Sequence, residues 1–397
     1  MADLLTIEAA LAAVLERARP LPSELVPLEH AAGRFLAEDA RARVDLPPFA
    51  SSAMDGYAVR AADTPGRLPV AFRIAAGRPA PDELAAGEAM AIATGGMVPG
   101  GADAVVPIEY VVENENDVEI DAAAESGRHV RPQGGDIRSG DVVLAAGLRL
   151  TPARLGALAA AGVGEVRCPR RARAAVLTTG TELRAVGERL EPGQIYESNG
   201  PMLAALLSGA GADVERLTPV ADDPSTHRRA IARALESDLA VTSGGVSVGP
   251  HDLVRGVERE LGVEEVFWGV AMRPGKPLSF GVHGETLVFG LPGNPVSALV
   301  GAELFVRPAL QALQGDPNPA LPWREGTLAV AVRRNAARAE LLRSRSSVVD
   351  GAVSLEPVSG QESHMIARAA TADALVHVPR GEGELAAGES VRYLAIA

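Results

Sequence analysis

The spacing of apolar positions changes character twice along the chain. Leu4, Ile7, Leu11, Val14 and Leu15 recur at helical intervals, with Glu8, Glu16 and Arg17 opposite, which predicts an amphipathic helix over 3–19. From about 21 to 150 the apolar runs shorten and are broken by glycine and proline. Ala-Val-Arg (58–60), Val-Ala-Phe-Arg-Ile (70–74), Ala-Met-Ala-Ile-Ala (89–93) and Ala-Val-Val-Pro-Ile (104–108) read as strands. Thr151 and Pro152, a capping residue and a proline suited to a first helical turn, open a helix over 152–163.

From 173 strands and helices alternate. Strands are predicted at 174–179, Val214–Val220, Leu239–Ser243, Val266–Val270, 278–282 and 286–289. Helices are predicted around Met202–Leu207, over Pro224–Leu235 entered through Asp223, over His251–Leu261, and from near Pro295. This alternation implies βαβ units and a mostly parallel sheet covered on both faces. Gly-Asp-Pro-Asn-Pro-Ala-Leu-Pro, after Gln314, reads as a linker. Beyond it, runs at 328–332, 348–349, 353–355, 375–378 and 391–396 alternate with turns and show no strong helix, the pattern of a small β-barrel or sandwich.

Charge and composition narrow the function classes. The 397 residues carry 51 acidic and 38 basic side chains, a net charge of −13, which argues against broad nucleic-acid binding. Arginine supplies nearly all the positive charge, because Lys276 is the one lysine. A position that keeps lysine in such a chain points to a need for a compact ammonium, with chance survival as the plainer explanation. Cys168 is a lone cysteine, so neither a disulfide nor a cysteine metal site forms within one chain. The N-terminus lacks a signal-peptide pattern, and no uncharged apolar run reaches the roughly 18 residues of a membrane span. The expectation is a soluble, cytoplasmic protein with no membrane partner.

In a doubly wound sheet, ligands collect where strands run into helix N-termini. Four such loops are distinctive here: 178–183, 221–224, 243–252 and 291–297. Gly244, Gly245 and Gly249 with the hydroxyls of Ser243 and Ser247 suit a phosphate or another tetrahedral oxyanion, though each loop alone could simply turn. Glu182, Asp222, Asp223 and Asp252 bring carboxylates to the same rim. Carboxylates beside oxyanion loops suggest a bridging Mg²⁺, whereas Asp223 and Asp252 also suit helix capping. Arg273-Pro-Gly-Lys276-Pro277 holds two cations on a stiff turn, fit for phosphate binding or for a surface turn. Asp55-Gly56, Thr94-Gly95-Gly96 and Gly134-Gly135-Asp136 read first as turns, Asp55-Gly56 as a hairpin signal. No histidine shows metal-ligand spacing, and no Ser/His/Asp or Cys/His set emerges.

Ser-Ser-Ala-Met-Asp-Gly-Tyr-Ala (51–58), Thr-Gly-Gly-Met-Val-Pro (94–99), Ser-Gly-Gly-Val-Ser-Val-Gly (243–249), Pro-Gly-Lys-Pro (274–277) and Leu-Pro-Gly-Asn-Pro-Val-Ser (291–297) together resemble the bacterial MoeA family of molybdopterin molybdenumtransferases, shared with the E domain of gephyrin. The resemblance runs in order along the chain and is weakest after 319. It implies a multidomain α/β plus β fold. A central three-layer α/β/α domain (173–318) would hold a mostly parallel sheet. The N-terminal region (1–172) would form two mainly-β lobes, an inner one over about 50–136 and another from the outer segments with helix 152–163. A small β-barrel (319–397) would close the chain.

The same resemblance implies Mg²⁺-dependent insertion of molybdate into adenylylated molybdopterin with release of AMP. It implies a homodimer, and substrate supplied by a molybdopterin adenylyltransferase. By motif, Asp55, Asp136, Arg273 and Lys276 are the expected catalytic residues, and Glu182, Asp252 and Asp136 the expected Mg²⁺ residues. Thr94, Arg131, Asp222, Ser243, Gly244, Gly245, Ser247, Gly249, Pro292, Pro295 and Ser363 would bind substrate. Arg273 stands where the family often has lysine, Thr181 where aspartate is common, and Gly135 where a glutamate can precede the aspartate. The alternatives are the sister adenylyltransferase, against which the N-terminal lobes with Asp55 and the C-terminal barrel argue, and a gephyrin-like scaffold, which would not require the nearly intact carboxylate and cation set.

Overall fold

The computed structural model describes residues 4–220, 223–245 and 253–396. Two units emerge from the packing: Leu25–Ala32 with Leu36–Arg167, and Met1–Glu24, Gly33–Phe35 and Cys168–Ala397.

The first unit is built on a six-stranded sheet whose order is Ala104–Pro107, Gly56–Val59, Ala89–Ile92, Gly66–Ile74, Asp117–Ile120 and Val111–Glu113. Successive side chains of a strand face opposite sides. Tyr57 and Val59 accordingly enter one apolar cluster with Leu68 and Ile120, while Ala58 enters another with Ile74 and Met90. Gly56 opens a strand and is not the second residue of a hairpin turn. A Cβ there would lie 2.0 Å from the Val106 carbonyl oxygen, so close strand approach demands the glycine and overturns the hairpin reading of Asp55-Gly56. The helix at Pro152–Ala160 starts at the predicted proline and ends three residues short of the predicted stop, with Gly162 at φ 76° just beyond it.

In the second unit, helix Ile7–Arg17 is capped by Thr6, whose hydroxyl accepts from the Ala9 amide at 3.1 Å. Its buried residues Ile7, Ala10 and Val14 join a cluster containing Leu304 and Phe305. The central sheet comprises β1 (Arg173–Thr178), β2 (Asp213–Arg216), β3 (Leu239–Ser243), β4 (Glu264–Trp268), β5 (Ser279–His283) and β6 (Thr286–Leu291), in the order β2-β1-β3-β6-β5-β4. Strands β2, β1, β3 and β6 pair in parallel, and β5 pairs antiparallel with both neighbours. Along β1, Ala174 and Val176 pack with Leu203 and Leu207 of helix Asn199–Gly209, while Ala175 and Leu177 pack with Ile231, Val254 and Val257 of helices Pro224–Ala234 and Leu253–Glu260. A sheet buried on both faces by helices is the three-layer arrangement the alternation predicts.

The predicted strand over 214–220 stops at Arg216, leaving Val220 as an isolated bridge to Thr179. Helix Pro295–Leu313 contains a π-turn at Ala302–Val306. Among the described residues it is the one helix long and apolar enough to cross a membrane, but 83% of its apolar stretch is buried inside the protein, as befits a core helix.

Beyond it lie β7 (Arg324–Leu328), β8 (Ala339–Val349), β9 (Ala352–Pro357), β10 (Ala374–Val378) and β11 (Ser390–Ala395). The order β8-β9-β7-β11-β10, with β10 pairing back onto β8, closes a five-stranded barrel. Closure leaves no strand edge within the ring. The short strand Met272–Arg273 adds in parallel to the start of β8, setting Arg273 opposite Glu340.

Candidate functional site

A cavity of about 780 Å³ opens at the carboxyl ends of β1, β3 and β6. Its floor is made by loops that the parallel ladder delivers side by side. The Thr179 amide donates to the Ser243 carbonyl at 3.0 Å, and the Gly244 amide to the Leu291 carbonyl at 3.1 Å. Gly244 has φ 97°, and a Cβ on it would stand 2.5 Å from the Thr179 carbonyl oxygen, so both backbone conformation and crowding require glycine. Buried Asn199, at the start of its helix, ties the loops together. Its amide Nδ2 donates to Ser243 Oγ at 2.9 Å and to the Gly293 carbonyl at 2.8 Å, while Ser243 Oγ donates to the Pro292 carbonyl at 3.1 Å. Pro292, Gly293, Asn294 and Pro295 line the same cavity, with Pro295 as the first residue of the core helix. Ser363 meets this loop from the barrel side, accepting from Asn294 Nδ2 at 2.8 Å.

Among the described residues, Glu182 and Glu197 are the acidic side chains on this cavity. Glu197 is committed to structure: buried, it accepts from the Gly200 amide at 2.6 Å and from Arg216 at 3.2 Å. Glu182 makes no hydrogen bond or ion pair through its carboxylate among the described residues. No group of three or more His, Cys, Asp or Glu is placed to hold a metal ion among the described residues. Mg²⁺ keeps several waters and takes one or two carboxylates together with substrate phosphates. Among the described residues, one free carboxylate beside these glycine loops is compatible with an ion that arrives with a substrate's phosphates.

The Arg273–Pro277 loop has one end on each of two cavities: Pro277 lines the first, and Arg273 with Pro274 a second of about 290 Å³. Gly275 makes the turn at φ 99°. Exposed Lys276 offers its carbonyl to the amides of Val270 and Leu278, both at 3.0 Å. Arg273 donates through Nη1 to Glu340 Oε1 at 2.9 Å.

Arg343 lines the same second cavity and is 1% exposed. Its Nη1 donates to the Leu341 carbonyl at 3.0 Å, whereas Nε and Nη2 have no acceptor among the described residues. Burial first, and Arg273 second, pull its pKa from the ordinary arginine value down to about 10, so it stays charged at neutral pH. Gln361 fixes the backbone beneath it, accepting from the Arg343 amide at 3.1 Å and donating to its carbonyl at 2.9 Å. A buried guanidinium with unfilled donors, beside a second guanidinium, can take a tetrahedral oxyanion.

In the other unit, Asp55 Oδ1 accepts from both the amide (2.6 Å) and the hydroxyl (3.0 Å) of Thr94. These bonds, the amide first, hold the Asp55 carboxyl below its usual pKa. Arg131 is brought close through the backbone, opposite Ser51 in the pairing of Val130–Arg131 with Ser51–Ser52. The Ser52 carbonyl accepts from Gly95 at 2.9 Å, joining the Thr94 turn to the same strand. Asp136 is farther along, its amide donating to the Leu46 carbonyl at 2.9 Å. Asp222, Ser247, Gly249 and Asp252 lie outside the described residues.

Arg343 and Asn199 are not among the residues the sequence singles out, whereas Thr179 falls in the 178–183 loop. Asn199 follows Tyr-Glu-Ser at a helix start, a signal that could have found it; Arg343 sits in an Arg/Ser run that announces nothing.

Three family models match: "MoeA N-terminal region (domain I and II)" over 5–162, "Probable molybdopterin binding domain" over 175–312 and "MoeA C-terminal region (domain IV)" over 325–396. Among curated proteins, the chain is 39% identical to molybdopterin molybdenumtransferase 2 of Mycobacterium tuberculosis, covering 96% of each chain. It is 36% identical to molybdopterin molybdenumtransferase of Haemophilus influenzae, covering 98% of each. Among solved structures, the molybdopterin biosynthesis moea protein from Pyrococcus horikosii superposes with a TM-score of 0.84 at 33% identity, covering 99% of both chains.

Proposed function

The chain belongs to the MoeA family of molybdopterin molybdenumtransferases, and from that premise we propose that it inserts molybdate into adenylylated molybdopterin with release of AMP. The observation that carries the reading is the pair of cavities joined by the Arg273–Pro277 loop. One is floored by glycine loops and the other holds two guanidiniums.

In this reading the Ser243–Gly245 loop and the Pro292–Pro295 loop hold the adenylylated pterin, their glycines letting its phosphates approach the backbone closely. Asn199 keeps the two loops in register. Arg273, Lys276 and Arg343 hold molybdate, and Lys276, beside Pro277, offsets charge developing on the departing phosphate. Glu182, with Asp252, would hold Mg²⁺. That ion, when bound, neutralises phosphate charge as AMP leaves. Asp55, Thr94, Arg131, Asp136, Asp222, Ser247, Gly249 and Ser363 are assigned to the same reaction on their motifs, Asp55 as a carboxylate kept ionised by Thr94.

The three-part division 1–172, 173–318 and 319–397 is part of this proposal, supported by family matches that each fall within one part. So are a cytoplasmic homodimer and substrate hand-over from a molybdopterin adenylyltransferase, which rest on the family resemblance. Full-length relatives bearing the molybdenumtransferase name favour this reading over an adenylyltransferase or a scaffold.

The deciding assay supplies purified protein with adenylylated molybdopterin and follows AMP. Release is expected only with molybdate and Mg²⁺ together. Molybdate-independent release, or none, overturns the assignment.

A further inference from the structure

We propose that Glu340 is a positioning residue for the second cavity: an internal counter-anion that orients Arg273 while no oxyanion is bound and gives it up when one arrives. The inference rests on the oxyanion reading of that cavity and concerns what tunes its affinity.

The fold itself creates the pairing. The parallel bridge between Met272–Arg273 and β8 sets Arg273 opposite Glu340, and the guanidinium Nη1 closes the 2.9 Å contact. The two partners differ in freedom. The Glu340 side chain is 11% exposed and accepts at 3.4 Å from Asn335 Nδ2, whereas the Arg273 side chain is 55% exposed. The carboxylate is the fixed member and the guanidinium the movable one. Because the Arg273 end of this single-point pair is exposed, its guanidinium can turn from the carboxylate to another anion.

Charge in the cavity makes the counter-anion useful. Arg343 sits at 1% exposure with two donor nitrogens that meet no acceptor among the described residues, and Arg273 lines the same 290 Å³ space. Two guanidiniums in one partly dry space repel each other and attract any small anion. Glu340 offsets that charge from within. An incoming anion must therefore outcompete a carboxylate for Arg273, which a tetrahedral dianion does better than a monoanion such as chloride. The lower resting affinity also eases exchange of the bound oxyanion.

Glu340→Gln removes the charge while keeping a carbonyl oxygen that can still accept from Arg273. The test titrates molybdate into the full-length protein by calorimetry, comparing wild type, Glu340→Gln, Arg273→Ala and the double variant, with chloride as competitor. Glu340→Gln is expected to tighten molybdate about fivefold or more and to bind chloride better, without a higher melting temperature. In the Arg273→Ala background the same change is expected to matter less than about twofold. A carboxylate that only braces the barrel would move the melting temperature and leave this coupling absent. Should Glu340→Gln fail to fold, Glu340→Asp, which withdraws the carboxylate by one methylene, is expected to shift affinity the same way by a smaller factor. Equal or weaker molybdate binding by a folded variant, with wild type binding normally, overturns the role of Glu340 and leaves the oxyanion reading standing. No molybdate binding by wild type overturns the oxyanion reading and Glu340's role with it.

Discussion

Asn294 and Ser363 stand 69 residues apart in sequence and meet at 2.8 Å, the amide donating to the hydroxyl, while the Ser363 carbonyl accepts from the Val296 amide at 3.1 Å. The segment after β9 thus grips the loop that begins the core helix. Ser363→Ala removes one exposed hydrogen bond and keeps the backbone one, so the stability cost is about 0.5 kcal/mol. AMP release is expected to fall by a larger factor than that cost implies, because Pro292 and Pro295 lose a support. Parallel melting curves and turnover rates check this; equal, small changes in both would leave Ser363 a purely structural contact.

Asp55 owes its lowered pKa to Thr94. The contact therefore adds stability above the ordinary carboxylate pKa, near pH 4, and loses it as pH falls through the depressed value. Thr94→Val removes the hydroxyl donor and keeps the amide, the larger cause, so a partial upward return of the Asp55 pKa is expected in a carboxyl NMR titration. Asp55→Asn is expected to slow AMP release about tenfold or more, with the melting temperature only slightly lowered by loss of the ionised contact to Thr94. An undiminished rate would return Asp55 to a role in the turn alone.

The two cations of the Arg273–Pro277 loop are expected to respond unequally to charge-conserving swaps. Arg273 meets Glu340 through one nitrogen, a contact an ammonium can also make. Lys276 sits between two backbone hydrogen bonds to its own carbonyl, where a planar guanidinium would present its donors differently. Lys276→Arg should lower molybdenum insertion more than Arg273→Lys. Equal tolerance would mark the lone lysine as accidental.

Arg343 sets function against stability. Arg343→Met fills a similar volume and removes two unfilled donors, each kind of defect costing about 1–3 kcal/mol. The variant is expected to melt about 2–4 °C higher and to bind molybdate at least about tenfold more weakly. A destabilised variant with full molybdate affinity would show that the buried charge serves packing alone.

Legibility in the sequence followed local signals. Thr151-Pro152 marked a helix start to the residue, and Leu239–Ser243 was readable because a strand buried on both faces is a continuous apolar run. The turn geometry at Gly244 was equally visible, since that glycine is demanded by its own backbone angle. The 11-residue strand β8 was seen only at 348–349, because its Arg-Ser-Arg-Ser stretch alternates polar with polar. Ring closure, not side-chain pattern, makes that segment a strand. For the same reason Arg343 went unnoticed: burial of an arginine is decided by what folds over it. Asp55-Gly56 misled because Asp-Gly signals a turn, and only the approach of Val106 reveals why glycine is needed.

Lys276 is the chain's one lysine and its side chain is exposed. Apart from the α-amino group, an amine-reactive dye has one address on this protein, in the loop that joins the two cavities. The molecule therefore comes with a single-site attachment point for a fluorophore or an isotopic label, with no residue to remove first. Slower labelling in the presence of molybdate would report occupancy of that loop directly, without the unstable pterin substrate.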